Sequence, residues 1–403
     1  MIHSLKFIEQ VKWHLKSDVF IQPQTNLAWQ DEIVDAVNGL SAFILKQPSL
    51  KAYPEIIALA FWFRGAHLKQ LQQQSLQASN KNGSGKIAGK VFHIAPANVD
   101  TVFLYSALLS VLCGNQNIVR VSERSGEVTH ILIEIIKLYA ESEPGKTLAR
   151  YLSIVEYSAQ LNNVTAQLSR WCDLRVVWGG DTTIELISAI EPDTKQLSFP
   201  DRYSIALLTL PESNSIEATA QNFLTDILPF NQQACSSPKA IYWLNVDENK
   251  QQDFWQSVQQ LLPKNKNQLT MSNKVEQHIL LQKLAVSHGI ELAQHSGKSF
   301  AKIQSVGPLG HCKVKNLTAE MLIEHSGNGL VLEMQIETPQ QIENNDKLQS
   351  LLLDVEVKDV EVKGVEVKEC ALNLGKRQAQ LGKALEFDVF WDGINLIESF
   401  TLN

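Results

Sequence analysis

The chain has 403 residues, a formal net charge of −7 and 44% hydrophobic residues, which is ordinary globular composition and enough for about two domains with separate cores. Its mild acidity, with no Lys/Arg cluster, sets aside nucleic acid and anionic membrane surfaces as main partners. The first residues, MIHSLKFIEQVKWHLKS, mix charge among the apolar positions, unlike a signal peptide, and the run IIALAFWF (56–63) falls far short of the roughly 20 residues a bilayer needs; the expectation is a cytoplasmic chain with no membrane span.

Residues 1–75 carry apolar positions at helical spacing, most clearly in LKAYPEIIALAFWFRGAHLKQLQQQ (50–74), where Pro54 suits a helix start. SNKNGSGK (79–86) reads as a loop. An alternation follows: strand KVFHIAP (90–96), buried helix NVDTVFLYSALLSVLCGN (98–115), strand QNIVRVS (116–122), helix EVTHILIEIIKLYAES (127–142), strand YLSIVEY (151–157), helix VTAQLSRW (164–171), strand DLRVVWGG (173–180) and a helix over TTIELISAI (182–190). Apolar strands alternating with helices predict a parallel sheet covered on both faces, here one doubly wound nucleotide-type domain over 91–190. A second α/β stretch opens with YSIALLTL (203–210) and continues through helix 216–230, strand KAIYWLNV (239–246) and helices over 253–264 and 274–289. Near the end, DVEVKDVEVKGVEVK (354–368) is three pentads in tandem. A five-residue period flips side-chain parity, which predicts short strands broken at the Lys-Asp and Lys-Gly junctions rather than one long one.

Several constellations bear on chemistry. The five cysteines (113, 172, 235, 312, 370) show no CxxC or Cys/His spacing, so neither a disulfide framework nor a metal site is indicated. Cys235 sits between the polar run Asn231-Gln232-Gln233 and Ser236-Ser237-Pro238; this setting suits a catalytic thiol, and equally a buried Cys in a turn. In HIAPANVD (93–100), Asn98 is either a helix N-cap or an amide donor aimed at an oxyanion. In WGGDTT (178–183), Gly179 and Gly180 either let backbone approach a phosphate at a helix N-terminus or make a tight turn. In VRVSERS (119–125), Arg120 and Ser122 either hold a ribose or 2′-phosphate or form a solvated strand end. Histidines 93, 278, 288, 295, 311 and 325 lack ligand spacing and read as surface or capping residues, and no G-x-S-x-G elbow is present.

Taken in order, these features resemble the aldehyde dehydrogenase superfamily. Within it, HIAPANV, LLSVLCGNQNIVRVS, QQACSSP, FWFRGAHLKQL and the C-terminal GKALEFDVFWDGINLIESF resemble the LuxC-type long-chain acyl-CoA reductases, which make fatty aldehyde in luminous bacteria and have relatives outside luminescence. The resemblance implies an aldehyde-dehydrogenase-like α/β fold. Its expected parts are N-terminal helices and an NADPH-binding domain over 1–204, a catalytic domain over 205–370, and a tail over 371–403 that packs back or joins an oligomer contact. It implies that Cys235 is the nucleophile, that Asn98 and the Cys235 backbone N–H hold the oxyanion, and that Gly179, Gly180, Arg120 and Ser122 fall on the cofactor site. The superfamily's Gly-Ser turn is Gly-Gly here, which removes a hydroxyl contact to phosphate. Where aldehyde-oxidising members carry Glu-Leu-Gly-Gly-Lys with a water-activating Glu, this chain has LSFPDRYS (197–204), which suits an enzyme that reduces its acyl intermediate. The implied activity is NADPH-dependent reduction of a fatty acyl-CoA or acyl-protein thioester to the aldehyde. The implied partners are an acyl-activating enzyme and further copies of the same chain. An oxidising aldehyde dehydrogenase and a non-catalytic subunit of the same fold are the alternatives.

Overall fold

The alternation of apolar strands and helices builds two mainly parallel sheets in the computed structural model, which describes residues 11–16, 28–82, 89–97, 99–212, 215–265, 269–290, 304–354, 361–362, 365–366 and 374–401. The chain divides into two units, Met1–Pro200 with Phe387–Asn403, and Asp201–Glu386. These boundaries differ from the expected 204 and 370, and the expected tail is shared out: residues up to Glu386 belong to the second unit and the rest to the first.

The first unit begins with β1 (Lys12–Leu15) and the helices α1 (Asp31–Leu45), α2 (Pro54–Trp62) and α3 (Gly65–Asn82). The helical spacing read over 50–74, with its start at Pro54, is interrupted before Gly65, whose N–H donates to Asn38 Oδ1 (2.7 Å); a Cβ there would crowd that oxygen at 3.1 Å. The doubly wound part follows: β2 (Lys90–Ile94), α4 (Val102–Leu112), β3 (Gln116–Val121), α5 (Glu127–Ala140), α6 (Glu143–Tyr151), β4 (Leu152–Glu156), α7 (Asn162–Trp171), β5 (Leu174–Trp178), α8 (Asp181–Ile190) and β6 (Gln196–Phe199). The strand order is β1-β4-β3-β2-β5-β6, parallel throughout except for β1. Side chains alternate between two cores: Val91, Val119, Ile154 and Val176 face one, Phe92, Ile118, Val155 and Val177 the other. Helix α4 is apolar all round because every residue in it is buried.

The unit closes with residues from the far end of the sequence. Trp62 Nε1 donates to Phe387 O (2.9 Å), Tyr105 Oη to Asp388 O, and Asn115 Nδ2 to Phe400 O (3.2 Å). Leu396 and Phe400, on the last helix α13 (Leu396–Thr401), are fully buried, each burial contributing about 2–3 kcal/mol.

The second unit holds β7 (Tyr203–Leu208), α9 (Ile216–Ile227), β8 (Pro238–Leu244), α10 (Glu248–Leu261), α11 (Met271–His288), β9 (Gln304–Val306), β10 (Leu309–Lys313), α12 (Ala319–Ile323), β11 (Leu330–Ile336), β12 (Leu348–Leu353), β13 (Glu361–Val362), β14 (Val365–Glu366) and β15 (Arg377–Gln380). Its main sheet runs β15-β12-β7-β8-β11-β10-β9, with only the β9–β10 pair antiparallel. Strand β8 is buried end to end and sends Ala240 and Tyr242 to one core, Ile241 and Trp243 to the other. Within the pentads, Glu361–Val362 pairs antiparallel with Val365–Glu366 across the Lys-Gly junction; the Lys-Asp junction lies outside the described residues.

Candidate active site

The cysteine turn is built by strain. After α9 the backbone enters the left-handed region at three consecutive non-glycine residues, Phe230 (φ 53°), Asn231 (φ 53°) and Gln232 (φ 62°). Each such residue costs about 1–3 kcal/mol, and runs of this kind persist only where surrounding bonds enforce them. Here the enforcing segment precedes β11 and is itself left-handed at Gly327 (φ 81°), Asn328 (φ 62°) and Gly329 (φ 78°). Asn328 N–H donates to Asn231 O (2.7 Å) and Gly329 N–H to Gln232 Oε1 (2.9 Å), while Gln232 Nε2 donates to Pro238 O (2.8 Å). A Cβ at residue 327 would lie 2.6 Å from Gln232 O, so only glycine allows the approach.

Cys235 follows in the turn leading to β8 and is half-buried. Its carbonyl accepts from Ser204 Oγ (2.8 Å), and that hydroxyl accepts from Ser350 N–H (3.2 Å), which ties the turn to two neighbouring strands. The other described cysteines differ: burial pushes the Cys172 and Cys312 thiols up to about 12, and the fully buried Cys113 thiol still further up. Cys370 lies outside the described residues.

Two buried bases flank the turn. Lys239, 4% exposed at the start of β8, donates from Nζ to Gln232 O. Burial pulls its ammonium down to about 8, against the opposing pull of Cys235 and Asp201. His325 accepts from Gly327 N–H at Nδ1 (3.1 Å), which leaves the proton on Nε2; that atom is buried with no hydrogen-bond partner among the described residues. Burial first, and Lys239 second, hold this imidazole well below its ordinary value, so it stays neutral.

In the first unit, the strand order reverses direction between β2 and β5: the connection from β2 leads to β3 on one side, and the one from β4 crosses to β5 on the other. In doubly wound sheets the crevice at the carboxyl ends of such strands binds nucleotides. Gly179 and Gly180 stand at the carboxyl end of β5, with Gly180 at the N-cap position of α8, where it brings no side chain to the first-turn N–H groups. Gly179 N–H donates to Phe199 O (3.2 Å). Arg120, near the end of β3, lies over the Tyr157 ring (5.3 Å) and donates from Nη2 to Tyr157 O (3.1 Å); its Nε–H is buried without a hydrogen-bond partner among the described residues. Ser122, in the turn after β3, accepts from Arg124 N–H (3.2 Å). A bare glycine turn at the helix start after β5 and an unsatisfied guanidinium N–H on β3, with β2 between the two strands, have the chemistry to fit a dinucleotide. Asn98 lies outside the described residues.

Three histidines read as surface or capping residues are buried instead: His93 (1% exposed), His311 (4%) and His325 (6%). His93 bonds Ser106 Oγ (3.0 Å) and Asn117 Oδ1 (2.9 Å), and His311 pairs with the buried Glu333, which also accepts from Trp243 and Trp255. His288 does sit at its helix end, bonded to Glu324 (3.1 Å). Lys239 and the 327–329 glycines were not singled out by sequence. The G-N-G string was the available signal, since two close glycines before a strand mark a close backbone approach. Among the described residues no group of His, Cys, Asp or Glu could hold a metal, and no helix is long and apolar enough to cross a membrane.

Comparison with known proteins gives both a family and a fold. The sequence profile of the acyl-CoA reductase (LuxC) family matches residues 71–297. The long-chain acyl-protein thioester reductase of Vibrio harveyi is 26% identical over 187 residues, covering 44% of this chain and 38% of that protein. Long-chain acyl-protein thioester reductase 2 of Photobacterium leiognathi is 25% identical over 158 residues, 39% of this chain and 32% of the relative. The chain thus spans about a third of the length of the curated relatives it matches. Among solved structures, aldehyde dehydrogenase 21 of Physcomitrella patens superposes with TM-score 0.64 at 12% identity, covering 94% of this chain and 85% of the other. The aldehyde dehydrogenase KauB of Pseudomonas aeruginosa gives 0.62 at 13%, covering 93% and 83%. At such identities these two speak for the fold, which is that of the aldehyde dehydrogenases.

Proposed function

The chain belongs to the acyl-CoA reductase (LuxC) family, and from that premise we propose that it reduces a long-chain acyl thioester, carried on CoA or on a protein, to the aldehyde through an acyl group held on Cys235. The observation that carries this reading is the Cys235 turn: a half-buried thiol on a strained segment pinned by four hydrogen bonds from and to Asn231 and Gln232, beside a buried lysine. Strain held in this way preorganises a nucleophile.

In this reading Cys235 Sγ attacks the thioester carbonyl, the carrier leaves as its thiolate, and the acyl group stays on the enzyme sulfur. A reduced nicotinamide dinucleotide supplies, when bound, the hydride that takes this thioester to the aldehyde. NADPH is the form we propose, with Gly179 and Gly180 receiving phosphate at the start of α8 and Arg120 and Ser122 toward the ribose and its 2′-phosphate. LSFPDRYS offers Asp201 and Arg202 but no Glu in register with the water-activating one, which favours reduction over the alternative, oxidation of aldehydes.

The test is the intact mass of the protein after incubation with palmitoyl-CoA without NADPH. One added acyl group is expected, absent from Cys235→Ala and retained by Cys113→Ala, Cys172→Ala and Cys312→Ala. Label persisting in Cys235→Ala would sink the proposal. The oxyanion role implied for Asn98 is read in the same assay: Asn98→Ala should cut the acylation rate about 100–1,000-fold with little change in melting. An early melt with a near-normal rate per folded molecule would assign Asn98 to capping instead.

A further inference from the structure

We propose that Lys239 is the positioning residue for Cys235: its buried ammonium, anchored on the Gln232 carbonyl at the foot of the strained turn, is the fixed positive charge against which the Cys235 thiolate forms. The proposal rests on the reading of Cys235 as nucleophile and names what activates it.

The geometry comes first. Cys235 and Lys239 lie in one short stretch, the turn and the second residue of β8, and Ser204 and Gln232 fix both ends of it. Lys239 is all but buried, so its charge is poorly solvated. A burial of this kind is costly unless an opposite charge or hydrogen bonds offset it. One hydrogen bond goes to Gln232 O. The groups whose charges act on the ammonium are the Cys235 sulfur, Asp201 from the segment entering β7, and His325 from the loop before β11.

The chemistry then selects the lysine over the histidine. A thiol is usually activated by an adjacent imidazole that takes its proton and remains as imidazolium. His325 is unsuited to that: its Nδ1 is engaged by Gly327 N–H, Nε2 carries the ring proton, and burial together with Lys239 opposes a second proton. Lys239 needs no proton from the thiol to be a cation. The thiol gives its proton to solvent, and the thiolate and ammonium remain as an ion pair. When the thiolate attacks an acyl carbon its negative charge passes to the substrate oxygen, so the pair is discharged as the acyl group arrives. A lysine already pulled down to about 8 tolerates that loss, because it releases its own proton with little resistance. The two groups titrate as a coupled pair, so the measurable quantity is the midpoint of thiolate formation rather than a value for either residue.

The experiment follows alkylation of Cys235 by iodoacetamide against pH, read by peptide mass mapping in the full chain, for wild type, Lys239→Gln and Lys239→Arg. Glutamine keeps a donor for the Gln232 carbonyl and removes the charge; arginine restores the charge. The expected result is a wild-type midpoint below the ordinary thiol value of about 8.5, a rise of about one unit or more in Lys239→Gln, equivalent to a tenfold loss of thiolate at pH 7, and recovery in Lys239→Arg. A folded Lys239→Gln with an unchanged midpoint overturns the proposal. So does a wild-type midpoint at or above 8.5, a result that needs no variant to fold. Palmitoyl-CoA labelling of the same samples separates the two readings. Acylation of Cys235 without dependence on Lys239 removes this inference and keeps the function. Lys239-dependent alkylation without acylation does the reverse.

Discussion

Both units place glycines beside their candidate sites, and they use them for opposite ends. In the first unit Gly180 has φ −62° and ψ 159°, which any residue can adopt, and a Cβ at Gly179 would meet only the Thr183 side chain, at 3.3 Å. Nothing in the fold of that unit demands glycine there, so what the two residues provide is bare backbone facing outward from a helix start. In the second unit Gly327 is left-handed and its missing Cβ leaves room for a backbone carbonyl of the cysteine turn. There glycine faces inward and lets one segment lock another. The turn proposed to receive a ligand is thus regular and open, whereas the turn proposed to hold a nucleophile is strained and closed over by its neighbours.

The comparison breaks most visibly at Gly327. Gly327→Ala should destabilise the protein by about 3–5 kcal/mol, combining left-handed strain with a backbone clash, and should slow acylation of Cys235 per folded molecule. Thermal melts beside single-turnover labelling measure both; a variant that melts and acylates like wild type would show that the closed loop does not hold the turn.

A smaller effect contrasts the buried ionisable groups of the two units. Burial lifts Asp226, in α9, to about 7 although its carboxylate accepts from Gly382 and Ala384 N–H (2.6 and 2.9 Å). The folded state therefore binds this proton more tightly than the unfolded one, and stability falls as pH rises from about 4 to 7. His93 in the first unit has the opposite sign: burial pulls it down to about 4, so its contribution is present above about 6.5 and is lost as pH falls toward 4. The linkage ceiling for Asp226 is about 4 kcal/mol, and relaxation of a buried group brings the expected change to about 1–2. Asp226→Asn should then gain stability with rising pH between 4 and 7 relative to wild type. Slope is the readout, because the Asn amide would face one of the two N–H donors. Parallel curves for the two proteins would refute the assignment.

The smallest effect is expected at Gly180. Gly180→Ala should change stability by no more than about 0.5 kcal/mol while weakening NADPH binding, measured by cofactor fluorescence. A stability loss like that at Gly327 would erase the distinction between the two turns.

Much of the fold was legible because its signal is local. Strands such as Lys90–Ile94 and Leu174–Trp178 are apolar on successive residues and flanked by helices, and the Gly-Gly turn sits where strand gives way to helix. Strand β6 and, apart from the short strands of the pentads, the strands after residue 290 went unread, as did helix α6 between two elements that were expected. The cysteine itself stood out for its polar neighbours. What surrounds it did not, because the partners are remote: Gln232 and Gly329 are joined across 97 positions. Left-handed backbone at Phe230, Asn231 and Gln232 has no glycine to announce it. Lys239 and His325 looked like ordinary polar residues because their burial depends on strands that pair only in the folded sheet.

The return of residues 387–401 to the first unit has a consequence for the order of events during synthesis. The second unit is one uninterrupted stretch, Asp201–Glu386, and emerges from the ribosome whole. The first unit, although most of it is made earlier, must wait for Phe387, Asp388 and Phe400 to satisfy Trp62, Tyr105 and Asn115. Domains commonly mature from the N-terminus onward. Here the half begun first is completed only after the second has been made, and its unfinished core is the surface that a nascent chain must keep from aggregating until residues 387–400 have emerged.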